Sequence, residues 1–216
     1  MLEGKKLSIL GDSISTYEGV SNNASVSATT ALNAYFYRPV FPLEKTYFSI
    51  LMSNLGLTLC VNNSYAGGNL SGVDDPTSGV NRVFNLSADD GSTPDLIIVF
   101  MGINDLGRRV DPAVFSNDYL RTLSIIKEKY PSASVCCVNL PDRDCLLKKQ
   151  TIIYNNIIND VVKAAGERFF VADIFGSRLN NDTYYMNTVD GLHPDEDGMR
   201  IIAEIIAEAI KCNLRV

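Results

Sequence analysis

The chain contains a single histidine, His193, in the run Asp190-Gly191-Leu192-His193-Pro194. Histidine is the side chain whose ordinary pKa lies closest to neutral pH, so its imidazole suits the proton transfers of hydrolysis by a serine or cysteine. Asp190 stands three residues earlier and could orient the ring. A lone histidine is more often a structural or surface residue, so its interpretation depends on what the rest of the chain supplies.

Three other polar segments each follow an apolar run. They are Gly11-Asp12-Ser13-Ile14-Ser15, the stretch from Asn62 to Asn69, and Gly102-Ile103-Asn104-Asp105. Ser13 offers a hydroxyl nucleophile, glycines such as Gly67 and Gly68 let backbone N–H groups approach a ligand, and Asn104 carries an uncharged amide donor. Each segment alone is compatible with an ordinary turn or helix cap. Together with Asp190 and His193, they provide the groups that acyl transfer requires: a nucleophile, a base, an orienting carboxylate and three candidate oxyanion donors.

Short, continuously apolar runs separate these segments and are typical of strands buried on both faces. They lie at Leu7–Leu10, Leu57–Val61, Leu96–Phe100, Val135–Val138 and Phe169–Val171. Apolar stripes at helical spacing run from Tyr119 to Tyr130, from Tyr154 to Val162 and from Met199 to Ala209, and a weaker one runs from Leu43 to Leu55. This alternation predicts an α/β fold, a three-layer α/β/α sandwich with a mainly parallel five-stranded sheet. In such sheets ligands bind at the carboxyl ends of the strands, which is where the polar segments stand.

The residues after His193 are typical of the start of a helix. Pro194 suits the first helical position, and the acidic run Asp195, Glu196 and Asp197 complements the positive end of the helix dipole. We therefore interpret this run as the beginning of a helix rather than a metal site. Asp12 and Asp105 are expected to brace their turns rather than to react.

Composition limits the remaining classes of function. Hydrophobic residues make up 46% of the 216-residue chain and charged residues 20%, as in globular proteins, and one domain covering residues 1–216 is expected. The net charge of −6 argues against a nucleic-acid surface, and we interpret Arg108 and Arg109 as solvated.

No apolar run is long enough to span a membrane and no leader is evident, so a cytoplasmic location is expected. The five cysteines lack metal-type spacing, and we expect neither a metal nor an organic cofactor. Oligomeric state stays open.

The four polar segments, in this order, resemble the conserved blocks of the SGNH (GDSL-type) hydrolase family, whose fold is flavodoxin-like. Gly11-Asp12-Ser13 is similar to its first block, Gly67 to its second, Gly102-Ile103-Asn104-Asp105 to its third, and Asp190-x-x-His193-Pro194 to its fifth. The resemblance implies Ser13 as nucleophile, His193 as base and Asp190 as its orienting partner. It also implies an oxyanion hole formed by the backbone N–H groups of Ser13 and Gly67 and the amide of Asn104. Gly67 is favoured over Gly68 by its distance from Asn63-Ser64.

We therefore expect a serine esterase that cleaves small carboxylic esters through an acyl-enzyme, with short acyl groups such as acetyl, for example on carbohydrates. A lysophospholipase or thioesterase of the same family is the alternative within this chemistry. A non-catalytic α/β ligand-binding module is the alternative outside it, and a nucleotide binder is disfavoured because no GxGxxG or Walker-type loop follows the first strand. The segments 15–42 and 69–94 are long enough to form a lid or plain surface insertions. The aromatic residues of the first could cover a substrate or pack the loop.

Overall fold

The fold is described from a computed structural model, over residues 2–21, 41–142, 147–177, 179 and 184–215. Five parallel strands form one sheet in the order β2-β1-β3-β4-β5. The strands are β1 (Lys6–Gly11), β2 (Thr58–Ser64), β3 (Leu96–Phe100), β4 (Ser134–Val138) and β5 (Phe169–Ala172). The predicted five-stranded α/β fold is therefore confirmed.

Six α-helices are found in the described part of the chain. They are α1 (Tyr47–Leu55), α2 (Gly79–Arg82), α3 (Ile103–Gly107), α4 (Pro112–Lys129), α5 (Lys148–Ala165) and α6 (Glu196–Leu214). Short 3-10 helices span Ser13–Ser15, Leu43–Lys45 and Tyr185–Asn187. The single weak helix expected from Leu43 to Leu55 is thus divided, because Thr46 is extended and its side chain accepts a hydrogen bond from the Ser49 N–H at the start of α1.

Helices cover both faces of the sheet. Successive side chains of β3 alternate between two buried clusters, since neighbouring residues of a strand point to opposite faces. Ile98 packs with residues of α1 and α6 on one face, and Ile97 and Val99 pack with residues of α4 and α5 on the other. This double burial explains why the strands are continuously apolar in sequence. None of the described helices is long and apolar enough to cross a membrane.

The second strand is longer than the sequence indicates. Asn62, Asn63 and Ser64, expected in the polar turn, continue β2 and pair with the last residues of β1. Their buried side chains are satisfied by distant partners: the Asn62 amide donates to the Ser15 carbonyl at 2.9 Å. The Asn63 amide donates to the Arg82 carbonyl at 3.0 Å. These polar residues occupy a buried strand because hydrogen bonds compensate for their loss of water.

The position predicted for Pro194 was also wrong. The helix after His193 begins at Glu196, and Asp195 is its N-cap, whose carboxylate accepts a hydrogen bond from the Gly198 N–H at 2.9 Å. Pro194 therefore lies before the cap, not in the first helical position. A capping carboxylate satisfies a free N–H of the first turn, which decides where the helix begins.

The described parts of the two long segments form hydrogen bonds that join them to other parts of the chain. Segment 69–94 contains α2, and the carboxylate of Asp105 accepts hydrogen bonds from the N–H groups of Leu70 and Ser71 at 2.7 and 2.9 Å. In the first segment, Tyr17 is buried and its hydroxyl donates to the Phe41 carbonyl at 2.7 Å, which favours the packing role for these two aromatic residues. Three further aromatic residues of this segment, Tyr35, Phe36 and Tyr37, lie outside the described part of the chain.

Candidate active site

The turn after β1 presents Ser13 at the carboxyl edge of the sheet. Asp12 is the N-cap of the 3-10 helix Ser13–Ser15, and its carboxylate accepts a hydrogen bond from the Ile14 N–H at 3.0 Å. Ser13 is the first residue of this helix, so its N–H has no partner within the helix. The serine is 5% exposed. Ser13 thus carries both a hydroxyl and a backbone N–H that has no acceptor among the described residues.

His193 connects Ser13 to Asp190. The Nε2 atom of His193 lies 2.9 Å from the Ser13 hydroxyl oxygen, and its Nδ1 atom lies 2.7 Å from one carboxylate oxygen of Asp190. With the proton on Nδ1, the ring donates to Asp190 and accepts from the serine hydroxyl, which is the arrangement that a general base requires. The three residues predicted from the two ends of the sequence are therefore in hydrogen-bond contact.

The Asp190 carboxylate is held by its own loop. Its other oxygen accepts hydrogen bonds from the N–H groups of Leu192 at 3.0 Å and His193 at 2.7 Å. Partial burial opposes ionisation, but the hydrogen bonds from the backbone and ring of His193 outweigh it and hold the pKa of Asp190 below its ordinary value. Asp190 is therefore ionised at neutral pH, as a residue that stabilises a charged imidazole must be.

The turn after β2 offers a further backbone donor. Gly67 has φ +76°, a backbone conformation that residues with a side chain rarely adopt. The Gly68 N–H donates to the Tyr65 carbonyl at 3.0 Å. The Gly67 N–H has no hydrogen-bond acceptor in the described residues. Of the two adjacent glycines, Gly67 is thus the one with a free donor, and this supports the choice made from the sequence.

Asn104 lies in α3 rather than in a turn. Gly102, with φ +122°, is the N-cap that lets β3 pass directly into this short helix. The Asn104 side-chain amide donates one N–H to the Gly68 carbonyl at 3.0 Å. An amide nitrogen carries two N–H groups, so the second remains for a ligand. The hydrogen bond joins the end of β3 to the turn that contains Gly67.

Arg108 borders the site, and its interpretation as merely solvated was incomplete. The side chain is exposed, yet its Nη1 atom donates to the Gly67 carbonyl at 2.7 Å and to the Asn69 side-chain oxygen. These bonds fix a guanidinium beside the turn that contains Gly67 and Gly68, which is called the glycine turn below. No signal in the sequence separated this arginine from a surface residue, because its partners belong to another loop.

Two buried acids lie beneath the polar turns. Burial raises the pKa of Asp12 to about 7, against the lowering effects of the Ile14 N–H and the charge of Arg82. One oxygen of Asp12 has no hydrogen-bond partner among the described atoms. Burial also raises the pKa of Asp105, against the hydrogen bonds from Ser71 and Leu70. Asp12 braces its own turn, as the sequence predicted, whereas Asp105 holds the segment at Leu70 and Ser71 instead of the turn in which it lies.

A sequence model of the GDSL-like lipase/acylhydrolase family matches residues 7–206. The chain belongs to this family. An arylesterase of Vibrio mimicus is 25% identical to it over 179 residues, covering 78% of this chain and 80% of the relative. This GDSL-like chain is therefore an enzyme that hydrolyses ester bonds.

Solved structures agree with the fold of this GDSL-like hydrolase. A carbohydrate esterase family 2 enzyme with a carbohydrate-binding domain, from Corynascus thermopiles, has a TM-score of 0.67 at 20% identity, over 98% of this chain and 67% of that one. The psychrotrophic esterase EstA from Pseudoalteromonas has a TM-score of 0.65 at 15% identity, over 98% and 100% of the two chains. At these identities the likeness concerns the fold alone.

Proposed function

We propose that the protein hydrolyses carboxylic esters through an acyl-enzyme on Ser13, with His193 as general base and Asp190 as its orienting partner. The observation that carries the proposal is the continuous hydrogen-bonded contact from Ser13 through His193 to Asp190. Membership in an ester-hydrolysing family supports the reaction class.

In the first half of the reaction, the Ser13 hydroxyl attacks the ester carbonyl while His193 takes its proton at Nε2. The negative charge that develops on the carbonyl oxygen is stabilised by the N–H groups of Ser13 and Gly67 and the amide of Asn104. A preorganised donor of this kind contributes about 3–4 kcal/mol in the transition state. The ionised Asp190 stabilises the imidazolium. His193 then gives its proton to the leaving alcohol, and the acyl group stays on Ser13.

In the second half, water replaces the alcohol. His193 accepts a proton from the water as it attacks the acyl-enzyme, and a second tetrahedral intermediate forms at the same donors. Its collapse releases the carboxylic acid and returns the proton to Ser13. The chain's own residues supply every proton acceptor and donor that this cycle needs.

For the substrate, we propose a short acyl group, such as acetyl, on a polar alcohol such as a sugar. The rim of the glycine turn supports this choice, because Arg108 and Asn69 present hydrogen-bonding groups there that suit hydroxyl-rich alcohols. A carbohydrate esterase shares this fold, so the fold is compatible with such a substrate. A thioesterase or lysophospholipase activity is the alternative that a substrate panel would reveal.

The mechanism is tested by comparing Ser13→Ala and His193→Ala with Ser15→Ala on a chromogenic acetyl ester. Ser15 is a matched control, since it lies in the same 3-10 turn and is buried, but its hydroxyl bonds to Tyr47 at 2.8 Å instead of to the histidine. We expect kcat to fall roughly 10⁴-fold or more in the first two variants and to stay near the wild-type value in Ser15→Ala.

Labelling by a fluorophosphonate probe provides an independent readout. Wild type and Ser15→Ala should form one covalent adduct, which peptide mass spectrometry should locate at Ser13. Wild-type turnover in Ser13→Ala, or an adduct on another residue, would overturn the assignment of the nucleophile. A series of nitrophenyl esters, extended to acetylated sugars and acyl-CoA, tests the substrate. Highest activity on esters with long acyl chains would contradict the proposed preference for acetyl.

A further inference from the structure

We propose that Arg82 is a positioning residue of the active site, whose buried guanidinium holds together the ends of the three strands that carry Ser13, Gly67 and Asn104. The inference rests on the proposed function, because it concerns the oxyanion hole of that reaction. Arg82 itself contacts no reacting atom. Its predicted effect is on the relative placement of three donors.

The first two strand ends are joined directly by this side chain. The Nη2 atom of Arg82 donates to the carbonyl of Gly11, the last residue of β1, at 2.8 Å, and its Nη1 atom donates to the carbonyl of Asn63 in β2. Gly11 lies two residues before Ser13. The Nε atom donates to the Thr77 carbonyl at 2.7 Å, which anchors the guanidinium in the loop before α2.

The third strand and the glycine turn also meet this guanidinium. Nη2 lies 3.4 Å from the sulfur of Met101, the residue between β3 and the Gly102 cap of α3. A Cβ atom built on Gly68 would stand 3.3 Å from the same Nη2 atom and 2.9 Å from the Thr77 carbonyl oxygen. The turn that contains Gly67 therefore packs against Arg82 so closely that glycine is the residue that fits at position 68.

Arginine suits this position for a geometric reason. Its guanidinium is planar and carries five N–H donors in fixed directions, so one rigid group bonds carbonyls that approach from different strands. Arg82 is completely buried, and no carboxylate forms an ion pair with it within the described residues. Its N–H groups bond backbone carbonyls, and the charges of Asp12 and Asp75 favour the guanidinium without a direct ion pair. A buried cation is costly to desolvate, and a flexible apolar side chain would fill the space without fixing the three strand ends.

Arg168 provides a matched control. Its guanidinium also donates to three backbone carbonyls, those of Tyr130 at 3.1 Å, Ala133 at 2.5 Å and Lys127 at 3.0 Å. It stands directly before β5, at the amino edge of the sheet, away from the carboxyl edge that carries the polar turns. Substitution there removes a similar set of hydrogen bonds without touching a strand end of the active site.

The experiment compares Arg82→Lys and Arg82→Met with Arg168→Lys. Folding is checked by near-ultraviolet circular dichroism and urea unfolding, and the steady-state constants are measured on an acetyl ester. We expect kcat to fall on the order of 10–100-fold in Arg82→Lys, and further in Arg82→Met, with KM little changed, because misplaced donors act mainly on the transition state. Arg168→Lys should lose stability and keep kcat.

A boronic acid distinguishes positioning from general destabilisation. Boronates add to the serine hydroxyl and form a tetrahedral anion, so their affinity depends on the oxyanion donors. Across the Arg82 variants, we expect boronate affinity to fall in parallel with kcat. Met101→Leu removes the sulfur acceptor at nearly constant volume and should show a smaller loss of both quantities. This variant provides the same test if the Arg82 variants do not fold.

The two proposals fail in different ways. Full turnover by Ser13→Ala would overturn the proposed nucleophile and, with it, the role of Arg82. Wild-type kcat and boronate affinity in a folded Arg82→Lys, beside an inactive Ser13→Ala, would overturn the role of Arg82 alone. Where the Arg82 variants do not fold, unchanged kcat and boronate affinity in Met101→Leu would overturn it as well. An equal loss of kcat in Arg168→Lys would assign the effect to stability instead of position.

Discussion

Replacing Asp12 with asparagine should remove a pH dependence from the stability of the fold. The side chain is 1% exposed, and one of its carboxylate oxygens lacks a hydrogen-bond partner among the described atoms. Burial raises the pKa from the ordinary 3.8 to about 7. Asparagine keeps an oxygen that can accept from the Ile14 N–H, but it has no ionisable proton to lose.

The sign follows from proton binding. Because the folded chain holds the Asp12 proton more tightly than the unfolded chain, stability declines as pH rises from about 4 to about 7. The full cost of ionising the buried group is then present at every higher pH, and it amounts to about 4 kcal/mol for this change in pKa. A comparison of about pH 5.5 with about pH 8.5 covers only the part of this loss that occurs between about pH 5.5 and about pH 7. That part of the stability loss amounts to about 2 kcal/mol.

The assay is urea unfolding of wild type and Asp12→Asn at these two pH values. The stability of Asp12→Asn minus that of wild type should increase by about 2 kcal/mol from the lower to the higher pH. The unpaired amide of asparagine costs about 1–3 kcal/mol at both values and cancels in this comparison.

Asp95→Asn is the control, because hydrogen bonds and the charge of Lys5 overcome its desolvation and hold the pKa of Asp95 below its ordinary value. The stability of Asp95→Asn minus that of wild type should therefore be the same at both pH values. Parallel pH profiles for wild type and Asp12→Asn would refute the reasoning.

Two further predictions concern the buried polar groups. Asp105→Ala should destabilise the fold by roughly 2–5 kcal/mol, measured by urea unfolding, because it leaves the buried N–H groups of Leu70 and Ser71 without acceptors. A loss below about 0.5 kcal/mol would contradict this. Cys136 and Cys137 should resist a thiol reagent in the native state, because they are buried and burial raises the pKa of both thiols, whereas the exposed Cys212 should react. Mass mapping before and after denaturation checks this, and early modification of Cys136 or Cys137 would count against it.

The strands and the reactive side chains could be predicted from the sequence because both depend on local signals. A continuous apolar run identifies a strand buried on two faces, and polar residues at its carboxyl end must lie at one edge of a parallel sheet. Ser13 and Asn104 follow from this reasoning, whereas His193 was identified as the only histidine in the sequence, with Asp190 three residues before it. Their contacts in the structure agree with it.

The supporting residues could not be predicted in the same way. Asn62 and Asn63 are polar and were expected in a turn, and only the carbonyls of distant residues make their burial in β2 favourable. Arg82 gives no apolar periodicity and lies in a polar segment, yet it is completely buried. Its burial depends on carbonyls such as that of Gly11, which is 71 residues away. Such side chains are placed by tertiary hydrogen bonds, which leave no periodic pattern in sequence.

The bond between Ser13 and His193 joins residues 180 positions apart, and α6, which follows the histidine, packs on the sheet face next to α1. Because synthesis runs from Ser13 towards His193, a growing chain passes through lengths that contain the proposed nucleophile but not the proposed base. If the proposed mechanism holds, a chain that stops between these two residues is inactive. Ester hydrolysis would then report that residue 193 has been made and that its loop has reached Ser13.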